Sequence, residues 1–191
     1  GLMLNATAHA AIVDDLTPAQ RDAVAKGNVV FLTQDASGSA WPKAFIYVRI
    51  EATPEEVAAV FTDFESQKNY IPNLMKSKIQ KEESPSTYLI DYKLHVPILP
   101  DESYTVRDVI KSYDNGASYR VDWNLVRADT TKASEGNARF ESFGTATIMA
   151  YYNFVKPGSS IASLVKQQAM DQVKDTARAI AKHAEKEHVE Q

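Results

Sequence analysis

The sequence predicts a single α+β domain in which a curved antiparallel β-sheet wraps around a long C-terminal α-helix. Apolar and polar side chains alternate with a two-residue period for about eighty residues after Ser77, which indicates consecutive antiparallel strands. A helical apolar period follows near the C-terminus and indicates one helix with a face against the sheet. With 191 residues, the chain can bury a sizeable core in one domain and still leave room for a cavity.

Two short helices begin with the same sequence signal. Residues 17–20 (Thr-Pro-Ala-Gln) and 53–56 (Thr-Pro-Glu-Glu) each combine a threonine N-cap, a proline at the first helical position and a Gln or Glu that completes a capping box. Residues 28–34 and 43–51 lie between them and are predicted strands, because their side chains alternate in polarity. Another short helical turn follows the second helix and stops before Pro72.

The long alternating region is divided into strands by turn-forming segments. These segments are residues 82–85, 97–100, 115–116, 127–137 and Gly144. Asn115-Gly116 is the strongest turn signal, because a two-residue type I′ turn needs positive φ at both central positions. We therefore expect a hairpin that joins strands 103–112 and 118–126. The pattern of polar and apolar residues does not decide which face of the strand at 145–154 points inward.

The last predicted helix starts after residues 157–160 (Pro-Gly-Ser-Ser) and runs to about Glu187. One stripe of this helix is apolar and mostly alanine. The stripe consists of Ala162, Ala169, Val173, Ala177, Ile180 and Ala184. Such small side chains either bring a helix close to the sheet or leave unfilled space beneath it.

Four segments carry a resemblance to a known family: residues 26–30, 50–64, 69–74 and 151–159. With them, the chain resembles the START-like superfamily (SRPBCC), which includes polyketide cyclases, lipid-transfer domains and relatives of the birch-pollen allergen. The resemblance covers nearly everything after Leu16 and contains no catalytic signature. It implies the helix-grip fold, with two short helices after an early strand and a deep pocket between the sheet and the last helix.

Residues 17–191 are therefore predicted to form the START-like domain, and residues 1–16 an N-terminal extension. Gly1-Leu2-Met3 is interpreted as a remnant of cloning. Ala8 and Ala10 form an A-x-A pattern typical of the end of a secretory signal. Export to the periplasm or medium is thus as well supported as a cytoplasmic location, and the absence of cysteine does not decide between them.

Composition argues against several function classes. A net charge of -4 and a pI near 5.6 are unlike those of a nucleic-acid-binding domain. No apolar run reaches the roughly 20 residues that a membrane-spanning helix needs. The four histidines are scattered, cysteine is absent, and neither a Gly-x-Ser-x-Gly elbow nor a glycine-rich phosphate loop is present. We therefore predict no metal, no cofactor and no catalytic residue.

Tyrosines on the apolar face of the strands point to a cavity. Tyr88, Tyr92, Tyr104 and Tyr119 each carry a hydroxyl that needs a partner when buried, which a solid core supplies less easily than a ligand pocket. The alternative is that the rings pack edgewise with their hydroxyls at the rim. The full set of predicted cavity-lining residues is Tyr88, Ile90, Tyr92, Leu94, Tyr104, Val106, Tyr119, Val121, Trp123, Phe140, Met149, Met170 and Val173.

These observations predict a protein that binds or transfers an apolar small molecule, lipid-like or polyketide-like, in an internal cavity. One alternative is a polyketide cyclase or aromatase, which a buried carboxyl group with a shifted pKa facing a tyrosine would favour. Another is an accessory interaction domain with a vestigial cavity. The apolar loop 96–100 is predicted to be a lid over the cavity mouth, with a transient membrane contact as the alternative.

Overall fold

The computed structural model describes residues 10–191, and these form one antiparallel sheet that curves around a long helix. The sheet has eight strands in the order β1-β2-β8-β7-β6-β5-β4-β3. The strands are β1 (Val30–Gln34), β2 (Lys43–Ile50), β3 (Leu74–Ser84), β4 (Thr87–Leu94), β5 (Glu102–Tyr113), β6 (Ser118–Ala128), β7 (Ala133–Phe143) and β8 (Ala146–Lys156). This topology confirms the predicted α+β helix-grip fold.

Three α-helices and several short 3₁₀ turns complete the chain. The helices are α1 (Pro18–Ala25), α2 (Pro54–Thr62) and α3 (Lys166–Val189), and the 3₁₀ turns are Ile12–Asp15, Phe64–Asn69, Asp114–Gly116 and Ala162–Val165. In the part of the chain that the structure describes, no helix is both long and apolar enough to cross a membrane.

Both predicted capping boxes are present. At the start of α1, the amide of Gln20 donates to Thr17 Oγ1 (3.2 Å) and the amide of Thr17 donates to Gln20 Oε1 (2.9 Å). Thr53 and Glu56 make the same pair of bonds at the start of α2. Each box satisfies two backbone donors that a helix N-terminus otherwise leaves free, which fixes where both helices begin.

Strand β8 has both faces covered, which answers the question that its sequence pattern left open. Met149 and Tyr151 point to the concave face and join the main core. Ile148 and Ala150 point to the convex face and join a second, smaller apolar cluster. A strand buried on both sides shows no clear alternation of polarity, and this is why its inner face could not be predicted.

The second apolar cluster attaches the chain segment before α1 to the convex face of the sheet. Ile12 and Leu16 are buried there with Val24 of α1, against Tyr47 and Ile148. Residues 11–16 of the predicted N-terminal extension therefore pack on the domain. The segment 1–9, which holds Ala8 and the predicted cloning remnant, lies outside the described residues.

The apolar stripe of the last helix faces the sheet as predicted. Ala169, Val173, Ala177, Ile180 and Ala184 are all buried. Helix α3 itself begins at Lys166, because residues 162–165 form a separate 3₁₀ turn. Ala162 in that turn is also buried, and its carbonyl accepts a 2.8 Å hydrogen bond from Trp41 Nε1.

Two connections differ from the sequence prediction. The β5–β6 hairpin has a four-residue loop, since Tyr113 pairs with Ser118 and the positive φ values start at Asp114. Strand β7 begins at Ala133, so the predicted loop 127–137 shrinks to residues 129–132. Gly136 lies within β7, where a Cβ would come within 2.3 Å of the Trp123 ring and 2.4 Å of the Tyr152 carbonyl oxygen, so this position of the strand requires glycine.

We predict that Ala177→Asp destabilises the domain strongly, whereas Lys182→Asp does not. Ala177 is fully buried against the sheet, and a carboxyl group placed there has no partner, which should cost about 3 kcal/mol or more. Lys182 is exposed on the opposite face of α3. Urea unfolding of both variants measures the difference. Equal losses in the two variants would contradict the placement of the stripe.

Candidate functional site

A cavity of about 560 Å³ lies between the concave face of the sheet and α3. Its rim is formed by residues 99–102, 129–131 and 157–160, which are the connections β4–β5, β6–β7 and β8–α3 at one end of the sheet. Phe61 of α2 and Gln67 of the turn that follows it form the floor. The volume falls in the range of roughly 300–1,000 Å³ that is typical of small-molecule sites.

Apolar side chains make up most of the cavity wall. Its aromatic residues are Trp41, Phe61, Tyr92, Tyr104, Trp123 and Tyr151. Its aliphatic residues are Ile71, Leu74, Leu94, Val96, Leu99, Val106, Val155, Val173 and Ile180. A wall of this composition is typical of pockets that bind apolar molecules with few polar contacts.

The predicted lining residues divide into two groups along the strands. Those that line the cavity are Tyr92, Leu94, Tyr104, Val106, Trp123 and Val173. Those that lie outside it, in the packed part of the domain, are Tyr88, Ile90, Tyr119, Val121, Phe140, Met149 and Met170. Strand alternation identified the inner face correctly, but α2 and the turn after it fill one end of that face. Phe64 contacts Tyr88 there at 5.6 Å between ring centroids, and Phe61 contacts Phe140 at 5.5 Å.

The tyrosine hydroxyls follow both of the arrangements considered for them. Tyr88 donates to the carbonyl of Pro85 (3.3 Å), and the hydroxyl of Tyr119 lies over Gly116 of the hairpin, so these two reach outward. Tyr92 donates to Gln67 Oε1 (2.7 Å) at the cavity floor. Among the described residues, the hydroxyl of Tyr104 has no hydrogen-bond partner, although its ring lines the cavity.

The polar residues of the cavity wall that the predicted set omits include Asp108 and Tyr151. Asp108 is only 3% exposed, and its Oδ1 has no hydrogen-bond partner among the described residues. Burial raises the pKa of this carboxyl group to about 8. Burial also raises the pKa of Tyr151 well above its usual value. The alternation of β5 places Asp108 on the same face as Tyr104, and this was the available signal.

The charged residues that line the cavity are all acidic: Asp101, Glu102, Asp108 and Asp129. Two at the rim are already paired, since Asp101 lies 2.7 Å from His95 Nδ1 and Asp129 accepts a 3.1 Å bond from the Ser103 amide. No lysine, arginine or histidine within residues 10–191 lines it. Nor do three or more His, Asp or Glu side chains in this range converge as a metal site requires.

Part of the rim is held rigidly. The Glu102 carboxylate accepts hydrogen bonds from the amides of Thr130 (2.8 Å) and Thr131 (2.9 Å), which ties the β4–β5 connection to the β6–β7 loop. Gly158 packs so closely on the same loop that a Cβ there would lie 1.9 Å from the Thr130 carbonyl oxygen. The three rim segments therefore support one another.

Asp108→Asn should change how stability depends on pH. Because burial raises the folded-state pKa from 3.8 to about 8, the unfolded chain loses this proton first as the pH rises. The contribution of protonated Asp108 to the free energy of unfolding is thus fully present below about pH 4 and is lost progressively up to about pH 8. An asparagine side chain does not titrate, so the stability of the variant relative to wild type should increase by about 3 kcal/mol between pH 5 and pH 8.

Urea unfolding of both proteins at several pH values measures this difference. A difference that stays constant between pH 5 and pH 8 would mean that Asp108 is ionised in the folded protein, contrary to the expectation.

Solved structures share this fold. A STAR-related lipid transfer protein from Xanthomonas axonopodis (fragment 25–204) is 17% identical and superposes with a TM-score of 0.71 over 82% of this chain and 93% of that chain. The human StAR-related lipid transfer protein 5 is 11% identical and superposes with a TM-score of 0.65 over 89% of this chain and 97% of that chain. The ZhuI aromatase/cyclase from Streptomyces sp. R1128 is 12% identical and superposes with a TM-score of 0.58 over 75% of this chain and 93% of that chain. At these identities, the likeness establishes the fold alone.

Sequence comparison adds the family. No curated protein matches the chain. The profile of the family described as "Polyketide cyclase / dehydrase and lipid transport" matches residues 46–185, which include α2, strands β3–β8 and most of α3. The chain therefore belongs to the polyketide cyclase / dehydrase and lipid transport family.

Proposed function

We propose that this protein binds an apolar small molecule inside the cavity and carries it, without transforming it. The observation that carries the proposal is the cavity of about 560 Å³, walled by aromatic and aliphatic side chains and left unfilled by the alanine-rich face of α3. A cavity of this kind leaves apolar surface without contacts, and an apolar ligand would supply them. Similarity in fold to lipid transfer proteins supports the same function.

The residues proposed to contact the ligand come from both sides of the cavity. Tyr92, Tyr104 and Trp123 line the cavity from the sheet, and Val173 and Thr176 line it from α3. Such a wall would select mainly by shape and apolar area, with few directional contacts.

A cyclase or aromatase is the second candidate, and Asp108 is the observation that favours it. This buried carboxyl group with a raised pKa lies on the same wall as Tyr104 and Tyr151, an arrangement that favours an enzyme. General acid–base catalysis is most effective when the pKa of the catalytic group lies near the operating pH. Burial raises the pKa of both tyrosines far above neutrality, so a reaction would have Asp108 as the only one of these three groups that exchanges protons near neutral pH. We therefore favour binding over catalysis.

The third candidate, an interaction domain with a vestigial cavity, requires a filled interior. The volume between α3 and the sheet argues against it.

The loop 96–100 is proposed to act as the lid and also to touch membranes. Val96, Leu99 and Pro100 line the cavity, and as a lid they would cover its mouth. Ile98 points the other way and is 73% exposed, with φ at 73°. A β-branched residue with positive φ is strained, so the exposed apolar tip is held at a conformational cost. Insertion of this tip into a bilayer would bring the cavity mouth to its ligand source.

Wild-type protein should bind the neutral apolar dye Nile red with a stoichiometry of one, and Thr176→Trp should abolish this binding. Thr176 lines the cavity from α3, and an indole there would occupy the space. Arg178→Trp is the matched control, since Arg178 is exposed on the same helix. Dye emission measures binding and thermal unfolding checks the fold. If wild type fails to bind the dye, the carrier function is wrong.

Ile98→Asn should reduce binding to phosphatidylcholine vesicles by about tenfold or more, because it removes one inserted apolar side chain. Asparagine tolerates positive φ, so the loop conformation should be kept and the strain relieved. Met75→Asn is the control: Met75 is 52% exposed on β3, at the edge of the sheet. Co-sedimentation with vesicles measures both variants. Equal binding by wild type and Ile98→Asn would exclude a membrane role for the loop.

A further inference from the structure

We propose that the cavity selects an apolar molecule that carries a protonated amine, and that Asp108 is the group that binds the amine. This inference rests on the proposed carrier function and names the chemical class of its ligand. It depends on three features of the cavity: the position of Asp108, the absence of any cationic side chain from the described part of the wall, and the aromatic rings on the strands around it.

Asp108 lies deep in the cavity. Strand β5 starts at the rim with Glu102 and runs inward, so Asp108 is six residues from the rim, about 20 Å along an extended strand. It pairs in register with Trp123 of β6 on one side and with Tyr88 of β4 on the other. The residue is 3% exposed, and its Oδ1 has no hydrogen-bond partner among the described residues. Asp108 also lines the cavity, so a ligand there can offer a partner to its carboxyl group.

Charge decides which ligand supplies the partner. Every charged side chain on the wall is acidic, and none of the described lining residues is cationic. A carboxylate or phosphate ligand would find no counter-ion on the described wall. An ammonium group would find a carboxylate at the inner end of the cavity.

Aromatic rings favour the same charge. Tyr92 and Tyr104 lie with their ring centroids 5.5 Å apart, and Trp123 and Tyr151 are also 5.5 Å apart. All four line the cavity on β4, β5, β6 and β8. Ring faces attract cations, and the attraction grows when water is excluded. The wall therefore stabilises a cation through its rings as well as through Asp108.

The groups that face Asp108 leave it as the one that changes charge near neutral pH. Tyr92 of β4, Tyr104 of β5 and Tyr151 of β8 interact with it electrostatically, and burial raises the pKa of each far above neutrality. The residues that line the cavity from α2 and α3, such as Phe61 and Thr176, carry no charge. The other acidic residues of the wall, Asp101, Glu102 and Asp129, lie at the rim. The pKa of Asp108 is raised by burial alone.

Binding is therefore coupled to one proton. Below about pH 8, the empty cavity holds the neutral acid, and an alkylammonium ion binds when Asp108 releases its proton to solvent. No covalent bond forms or breaks in the ligand. Since the ionised fraction of Asp108 rises from about 1% at pH 6 to about half at pH 8, affinity for the amine should rise about fifty-fold over this range.

The test compares three ligands of equal chain length: dodecylamine, dodecanol and dodecanoic acid. Displacement of Nile red from wild type at pH 6, 7 and 8 should show the amine bound most tightly at pH 8, with the predicted rise, and the alcohol with no pH dependence. Calorimetry in two buffers of different ionisation enthalpy should show the release of one proton per amine at pH 7. These two measurements use wild type alone and do not depend on the folding of a variant.

Asp108→Asn then locates the effect. The variant should lose the pH dependence and at least tenfold of the affinity for dodecylamine at pH 8, while its affinity for dodecanol stays close to that of wild type. Asp122→Asn removes the same charge from the adjacent strand β6, where Asp122 pairs with Arg120 outside the cavity, and should bind like wild type.

The outcomes that contradict the proposals are distinguishable. If dodecanol binds but the amine gains nothing over it, if the acid binds most tightly, or if Asp108→Asn keeps the pH dependence, the amine assignment is wrong and the carrier function stands. If neither the dye nor any of the three ligands binds wild type, both proposals fall.

Discussion

The seating of α3 on the concave face of the sheet is the contact on which the rest of the structure depends. Its alanine stripe brings the helix close to the strands but offers too little volume to fill a curved surface from end to end. Helix α2 and the turn after it fill one end with Phe61 and Phe64. The other end has no comparable filler among the described residues, and the cavity lies there. One sheet, one helix of small residues and one short helix thus determine both the core and the site.

Sequence patterns predicted the features that local physics controls. The capping boxes at Thr17 and Thr53 and the alternation of β4 and β6 act within a few residues, so they could be read directly. The start of β7 could not, because Gly136 is explained by the close approach of the Trp123 ring and the Tyr152 carbonyl oxygen from the two neighbouring strands. The position along each strand at which the packed core gives way to the cavity could not be predicted either. Tyr88 and Tyr92 share one face of β4, yet only Tyr92 lines the cavity, because Phe64 packs on Tyr88 from a distant part of the chain.

Asp108 is the residue that sequence reasoning passed over, and its type explains why. A single carboxylate within a strand is usually solvated, and the residues on either side, Arg107 and Val109, give no sign of its burial. In the folded protein, this carboxyl group is buried without a hydrogen bond to Oδ1, which is unfavourable for stability. Groups of this kind concentrate at functional sites, where the cost to stability is offset by function.

The mouth of the cavity combines a fixed side with a strained one. Glu102 ties Thr130 and Thr131 in place, and Gly158 packs directly on Thr130, so the β6–β7 side has little freedom. The loop 96–100 instead holds Ile98 at a positive φ with its side chain in solvent, while Val96 and Leu99 turn inward. A change in the conformation of the loop 96–100 would relieve its backbone strain, which lowers the free-energy cost of opening the mouth on that side. Opening on the β6–β7 side would instead break the hydrogen bonds of Glu102. Movement at the mouth is therefore least costly in the loop 96–100, whose inward side chains line the cavity.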